Sequence, residues 1–193
     1  IPDITMGGEF SIAVISGDKS VTSSAVLPPT PNVLSAVYVE DGGLNSDGDE
    51  VSAIDIIIID DPDHKNYYKI GATVISESWT ENLYLQSTNA FALESAQYDE
   101  LVINDDQFNG QEFKLRLQFY NYSIHGNDPE ENIDYKLIMR GISKEQYDYD
   151  QALKSFFENN DNPFASPVQL PSNIENGLGL FSLENIKVFD VEK

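Results

Sequence analysis

Cysteine is absent from the 193 residues, which removes disulfides, thiolate metal sites, cysteine nucleophiles and lipid attachment to a thiol within this chain. Histidine is scarce too. His64 and His125 are the only two, and both sit in polar, turn-like stretches that offer little for a zinc site or a Ser-His-Asp triad. Basic residues are few: 11 Lys and Arg stand against 33 Asp and Glu, giving a formal charge of −22. Such a field repels phosphate backbones and anionic headgroups, which argues against nucleic-acid binding and against docking on acidic lipid. No apolar run approaches the roughly 18 residues that a membrane-spanning helix needs; the purest, Ile56 to Ile59, is flanked by Asp55 and Asp60. A Gly-x-Ser-x-Gly nucleophile elbow is missing, and Gly177 and Gly179 are too few for a phosphate-cradling loop. Residues 1–8 carry neither the basic segment nor the apolar run of a secretory leader, so the chain reads as a product that starts in the middle of something.

What is present is material for a β core. Residues 8–16 place Phe10, Ile12 and Val14 on one face, Gly17-Asp18-Lys19 makes a turn, and 21–27 returns as a second strand. Pro28-Pro29-Thr30-Pro31 then blocks pairing and helix alike and stiffens the chain as a spacer. Residues 1–27 therefore read as the last hairpin of a truncated N-terminal β domain, 28–31 as a Pro-rich linker, and 32–193 as a second domain. Within it, strands are expected over 33–40, 51–59, 67–76, 83–91, 101–103, 112–122 and 134–141. The run of four isoleucines favours a sheet buried on both faces. The 112–122 segment alternates Phe113, Leu115, Leu117 and Phe119 inward with Lys114, Arg116 and Gln118 outward. One helix interrupts, over about 143–158, opened by the capping box Ser143 to Gln146, with Tyr149, Leu153 and Phe156 as its buried stripe. The fold class is all-β: an Ig-like, two-sheet β-sandwich with one inserted α-helix.

Acidic loops are the first candidate chemistry. Asp47, Asp49 and Glu50 lie in one, and Asp60, Asp61 and Asp63 in another. Calcium takes six to eight oxygens, often from alternate loop carboxylates. Asn45, Asp47 and Asp49 alternate in that way, but the glycine due next is Glu50, so the helix-loop-helix template fails. Turns also want Asp, Asn and Gly for their own geometry. Calcium is therefore one candidate ligand, and turn chemistry the competing account. Paired carboxylates could serve a glycosidase, but 33 acids nominate no particular pair. Trp79, Tyr120 and Tyr122 offer rings for stacking on a ligand or partner.

The last fifty residues carry a resemblance. Asn162-Pro163-Phe164-Ala-Ser-Pro167 followed by Ser172-Asn173-Ile-Glu-Asn176-Gly177-Leu-Gly179-Leu-Phe181 resembles the C-terminus of a Bacteroidota outer-membrane lipoprotein family known as domain of unknown function 4249. Asp61-Pro62, Asn66-Tyr67-Tyr68 and Asp105-Asp106-Gln-Phe108-Asn109-Gly110 fit the same family in the same order. The resemblance implies a lipid-anchored protein of the cell surface, with an Ig- or transthyretin-like first domain, placed beside a TonB-dependent transporter in nutrient uptake. It brings no catalytic residues. On the residues alone, Asn173 and Asn176 cap turns, Gly177 and Gly179 permit close backbone approach, and Phe181 is expected to plug the core after the bend. Two classes of function follow. One is a non-enzymatic accessory or ligand-binding module whose partners are the transporter, other outer-membrane proteins or a nutrient. The other is a glycan- or peptide-directed hydrolase with paired carboxylates, with a calcium-stabilised adhesin as a third reading.

Overall fold

The computed structural model describes residues 7–45, 47–96, 99–120, 133–159 and 166–193. The elements run β1 (Glu9–Ser16), β2 (Lys19–Val26), β3 (Val33–Val39), β4 (Ser52–Ile59), β5 (Tyr67–Ile75), β6 (Thr80–Asn82), β7 (Leu93–Glu94), β8 (Leu101–Asn104), β9 (Glu112–Phe119), β10 (Asp134–Ile142), α1 (Lys144–Asn159) and β11 (Asn185–Asp190). Two sheets make a sandwich. One has the order β3-β4-β9; the other has the order β11-β10-β5-β8-β7, with β6 pairing the far half of β5. The period-two alternation drives Ile54, Ile56 and Ile58 of β4 and Leu115, Leu117 and Phe119 of β9 into the interior. They meet Tyr68, Ile70, Ala72 and Val74 of β5 and Leu137 and Met139 of β10.

Two expectations about coverage change places. The isoleucine strand β4 is fully covered on its second face only at Ala53, beneath Gly42: Ile57 and Ile59 are half-exposed, and Asp55 reaches across to Arg116 at 2.7 and 2.6 Å. A β-branched run suits a half-covered pleat as well as a fully covered one, so the four isoleucines did not require a second layer. The strand buried on both faces is β5, because α1 lies over the side chains that point away from the core. The 83–91 segment does alternate, with Leu83 and Leu85 buried, but it forms no strand: the Leu83 amide donates to the Ala72 carbonyl at 2.8 Å and Gln86 makes an isolated bridge to Gln118.

The helix begins as read: Ser143 Oγ accepts the Gln146 amide at 3.2 Å. The reciprocal half of the box is not made, since Gln146 Oε1 accepts the Ser182 hydroxyl instead, at 2.5 Å. The expected apolar stripe is also corrected. Tyr149 and Leu153 are half-buried, Phe156 is 41% exposed, and the one fully buried helix residue is Asp150. The helix meets a charged patch of sheet, so a polar side turns inward.

Hairpin β1–β2 forms its own two-stranded sheet. Thr22 exchanges backbone hydrogen bonds with Glu175 at 3.3 and 2.8 Å, and Ser23 Oγ donates to the Asn173 carbonyl at 2.8 Å. The prolines lie against β10: a Cβ on Gly141 would sit 2.2 Å from the Pro29 carbonyl oxygen, so only glycine permits this approach. Asn185 adds hydrogen bonds to the Pro28 carbonyl and the Thr30 hydroxyl, at 3.2 and 2.8 Å.

Candidate functional site

Buried polar side chains gather in two places. The first ties the β4–β5 turn to the β8–β9 turn. Asp60 is 4% exposed, and its Oδ1 accepts the Tyr68 hydroxyl at 2.7 Å and Asn66 Nδ2 at 3.2 Å, while Oδ2 accepts the Gly110 amide at 2.8 Å. Asp105, fully buried, takes the Asn66 amide at 2.6 Å on one oxygen and pairs the other with the Lys65 ammonium. A buried carboxylate persists only when its lone pairs are occupied, and here each oxygen has a donor. Burial, and then the hydrogen bond to Asp60, push the Tyr68 hydroxyl far above the ordinary tyrosine value. Gly110 has φ of +71°, and a Cβ there would meet Pro62 Cβ at 2.7 Å. Phe108 stacks on Phe113 beneath the turn at 4.1 Å, and Asn109 is exposed at its tip.

Asp61-Pro62, Asn66-Tyr67-Tyr68 and the 105–110 turn, dispersed in sequence, thus converge on one structural junction. The family described as Domain of unknown function (DUF4249) matches residues 4–188. The chain belongs to this family. No curated protein and no solved structure matches it. The DUF4249 tail motif is likewise a closed loop: Asn173 Oδ1 accepts the Phe181 amide at 2.9 Å while its Nδ2 donates to the Phe181 carbonyl at 2.7 Å. Ser172 Oγ accepts the amides of Ile174 and Gly179 at 3.3 and 3.1 Å, Asn176 takes φ of 59°, and Gly177 lies close under Val21. Phe181 is half-buried and stands outside the core cluster, so its backbone, rather than its ring, closes the loop. Pro163, Phe164, Tyr122 and His125 lie outside the described residues.

The acidic candidates separate by role. Asn45 Oδ1 gathers the amides of Asp47 and Asp49 at 3.0 and 2.9 Å, and Asp49 Oδ2 accepts the Tyr120 hydroxyl at 2.8 Å. Glu50 bridges Leu44 through the backbone. Asp61 folds back on its own turn, accepting the Asp63 amide at 3.0 Å and lying 2.9 Å from His64 Nδ1; these contacts hold its carboxyl below the ordinary range. Among the described residues, no three acidic or histidine side chains converge on a common point. Of the rings, Tyr120 is spent on that loop, and Trp79 packs against the core.

The second buried group was not read from the sequence. Lys69 Nζ lies 3.2 Å from Glu100 and 3.0 Å from Asp150 of α1. Arg140 pairs with the other oxygen of Glu100 and stands 3.5 Å from Glu184. Burial works against the Lys69 charge, yet the hydrogen bond to Asp150 and the charge of Glu100 outweigh it and raise its pKa. A lone lysine amid Tyr-Tyr-Lys-Ile-Gly-Ala was the available signal, since a cation there needs a buried partner.

Beyond this group, α1 and the 86–94 segment flank an open cleft of about 470 Å³. Gln86, Ser87 and Glu94 line one wall, and Gln151, Lys154 and Glu158 the other. Lys154 Nζ reaches across to Glu94 at 3.0 Å and lies 3.7 Å from Glu158 of its own helix. Ser87 donates to the Arg116 carbonyl at 2.8 Å and accepts the Asn89 amide at 3.2 Å, which leaves one lone pair on its oxygen. Gln151 Nε2 is buried and has no hydrogen-bond partner among the described residues.

Proposed function

We propose that this chain is the folded module of a non-enzymatic surface lipoprotein that works as an accessory or ligand-holding component beside a TonB-dependent outer-membrane transporter. The lipid anchor belongs to the full-length protein, and membrane contact runs through that anchor. The observation that carries the reading is the cleft under α1, a concave site of the usual ligand-binding size whose walls are mostly polar, with two carboxamides, two hydroxyls and three charged side chains. Glu94 and Glu158 are both paired with the one lysine between them, at 3.0 and 3.7 Å, which neutralises part of their charge. Elsewhere Asp49, Asp60, Asp105, Glu100 and Asp150 are engaged by donors of the fold itself, which weighs against a hydrolase built on paired carboxylates.

The test is a pull-down from detergent-solubilised outer membrane of the source organism, using the full-length, delipidated protein with and without EDTA. A stoichiometric TonB-dependent transporter in the eluate is the expected result, and its loss in EDTA would assign a metal to the acidic loops. An eluate without any transporter in either condition overturns the proposal.

A further inference from the structure

The cleft's lining is unusual in its chemistry. A carboxamide offers both a donor and an acceptor, and so does a serine hydroxyl; an adjoining lysine–glutamate pair offers one of each side by side. Gln151 and Ser155 supply the first kind, Gln86 and Ser87 do so in part, because Gln86 Oε1 already accepts Asn45 Nδ2 at 3.4 Å and the Ser87 proton goes to the Arg116 carbonyl, and Lys154 with Glu94 supplies the second. Walls of this type satisfy a ligand whose own groups donate and accept at once, and vicinal hydroxyls have that property at the spacing of a planar amide or an ion pair. An anion is disfavoured twice: the chain carries −22, and the cleft's carboxylates outnumber its one lysine. An apolar ligand would strand the amides without partners.

From this we infer that the cleft between α1 and the 86–94 segment is a binding site for an uncharged, polyhydroxylated small molecule of mono- or disaccharide size. The volume of about 470 Å³ accommodates one or two sugar rings. Gln151 is the group most in need of the ligand. Its Nε2 has no partner among the described residues, and a ligand hydroxyl reached by rotating the side chain would supply the missing acceptor. Glu94 and Lys154, already held together, present an acceptor and a donor without reorganisation. The site's position also suits entry: Leu93 and Glu94 form the outermost strand of their sheet, so no further strand covers the opening among the described residues.

The inference rests on the ligand-holding part of the proposed function and is separable from the transporter part. Saturation-transfer NMR on the full-length, delipidated protein with glucose, mannose, N-acetylglucosamine, maltose and cellobiose tests it, with glucose 6-phosphate as the charged comparison. The expected result is saturable transfer to at least one neutral sugar, with Kd of about 1 mM or tighter, and weaker transfer to the phosphorylated one. Gln151→Leu keeps the bulk and removes the amide, and is expected to weaken binding about tenfold; Ser155→Trp fills the cleft and abolishes it. Unchanged melting curves for both variants separate loss of the site from loss of the fold. Silence with all five neutral sugars overturns the inference, as does binding that both variants leave unaltered. A retained transporter together with a silent titration would sink this site and leave the accessory role standing.

Discussion

Replacing Asp60 by alanine removes the acceptor from three donors at once, and the structure lets the loss be apportioned. Asn66 Nδ2 keeps two other acceptors, the carbonyls of Asp61 and His64 at 3.2 and 3.1 Å, so it loses little. Gly110 belongs to an exposed turn, where water can replace part of its bond. Tyr68 is 4% exposed, and its hydroxyl is stranded outright. A buried donor without a partner costs about 1–3 kcal/mol, so one full and one partial loss sum to about 2–4 kcal/mol. Asp60→Asn keeps the acceptor for Tyr68 but sets an amide donor against the Gly110 N–H, and is expected to cost about 1–3 kcal/mol. Tyr68→Phe removes a donor to a charged acceptor and is expected to cost about 1.5–3 kcal/mol. Urea unfolding followed by the fluorescence of Trp79, the single tryptophan and packed on the core, reads all three. The double variant with Tyr68→Phe should show a coupling of at least about 1 kcal/mol. An Asp60→Ala loss below about 1 kcal/mol, or no coupling with Tyr68, would refute the account of the junction.

Three further outcomes are expected. Gly110→Ala forces a left-handed φ on a residue with a Cβ and drives that carbon into Pro62; the urea midpoint should fall by the equivalent of about 2–3 kcal/mol. Lys69→Met leaves Glu100 and Asp150 buried without the ammonium they share and should cost about 3–5 kcal/mol, while Lys69→Met with Asp150→Leu recovers part of the loss in the same denaturation assay. Lys69, Tyr68 and Tyr135 all hold their protons more tightly folded than unfolded, Tyr135 through burial and its neighbour Tyr38. Their contribution is therefore complete below about pH 10 and is lost as pH rises further. A spectrophotometric titration at alkaline pH should show a delayed tyrosinate component that coincides with unfolding; if all tyrosines ionise together before unfolding, the buried-hydroxyl account fails.

The sequence was most legible where one face of a strand is covered. In β9, Phe113, Leu115, Leu117 and Phe119 alternate with polar neighbours, and the pleat converts that order into burial except at Gln118, which was expected to face outward but is 4% exposed because its amide donates to the Gly42 and Leu44 carbonyls. The hairpin and the Ser143 cap were legible for a similar reason, since turn and cap chemistry are local. What escaped depends on distant partners. Asp150 reads as a solvated helix residue until Lys69 is known to lie beneath it, and Phe156 reads as core until the sheet it was to cover turns out to be charged. The cleft escaped for the same reason: Gln86 and Gln151 are ordinary polar residues in sequence, and only the crossing of α1 over the sheet edge brings them to one cavity. The motif segments Asp61-Pro62 and Asn66-Tyr67-Tyr68 were recognisable as a pattern, but their convergence on Asp60 needed the register of β4, β5 and β9.

The carboxylate of Asp60 and its neighbour Asp105 have a kinetic consequence. Backbone amides in surface turns normally trade hydrogen for deuterium within the time that local fraying allows, and strand amides far more slowly. The amides of Asn66 and Gly110 belong to no strand, yet each is bonded to a carboxylate that is almost wholly shielded from water. Gly110 is exposed, so water can take over its bond and its amide exchanges by local fraying. Asn66 is 3% exposed, and releasing its amide strands an oxygen of fully buried Asp105, so it should exchange on the clock of the whole sandwich and makes one turn position a reporter of global opening.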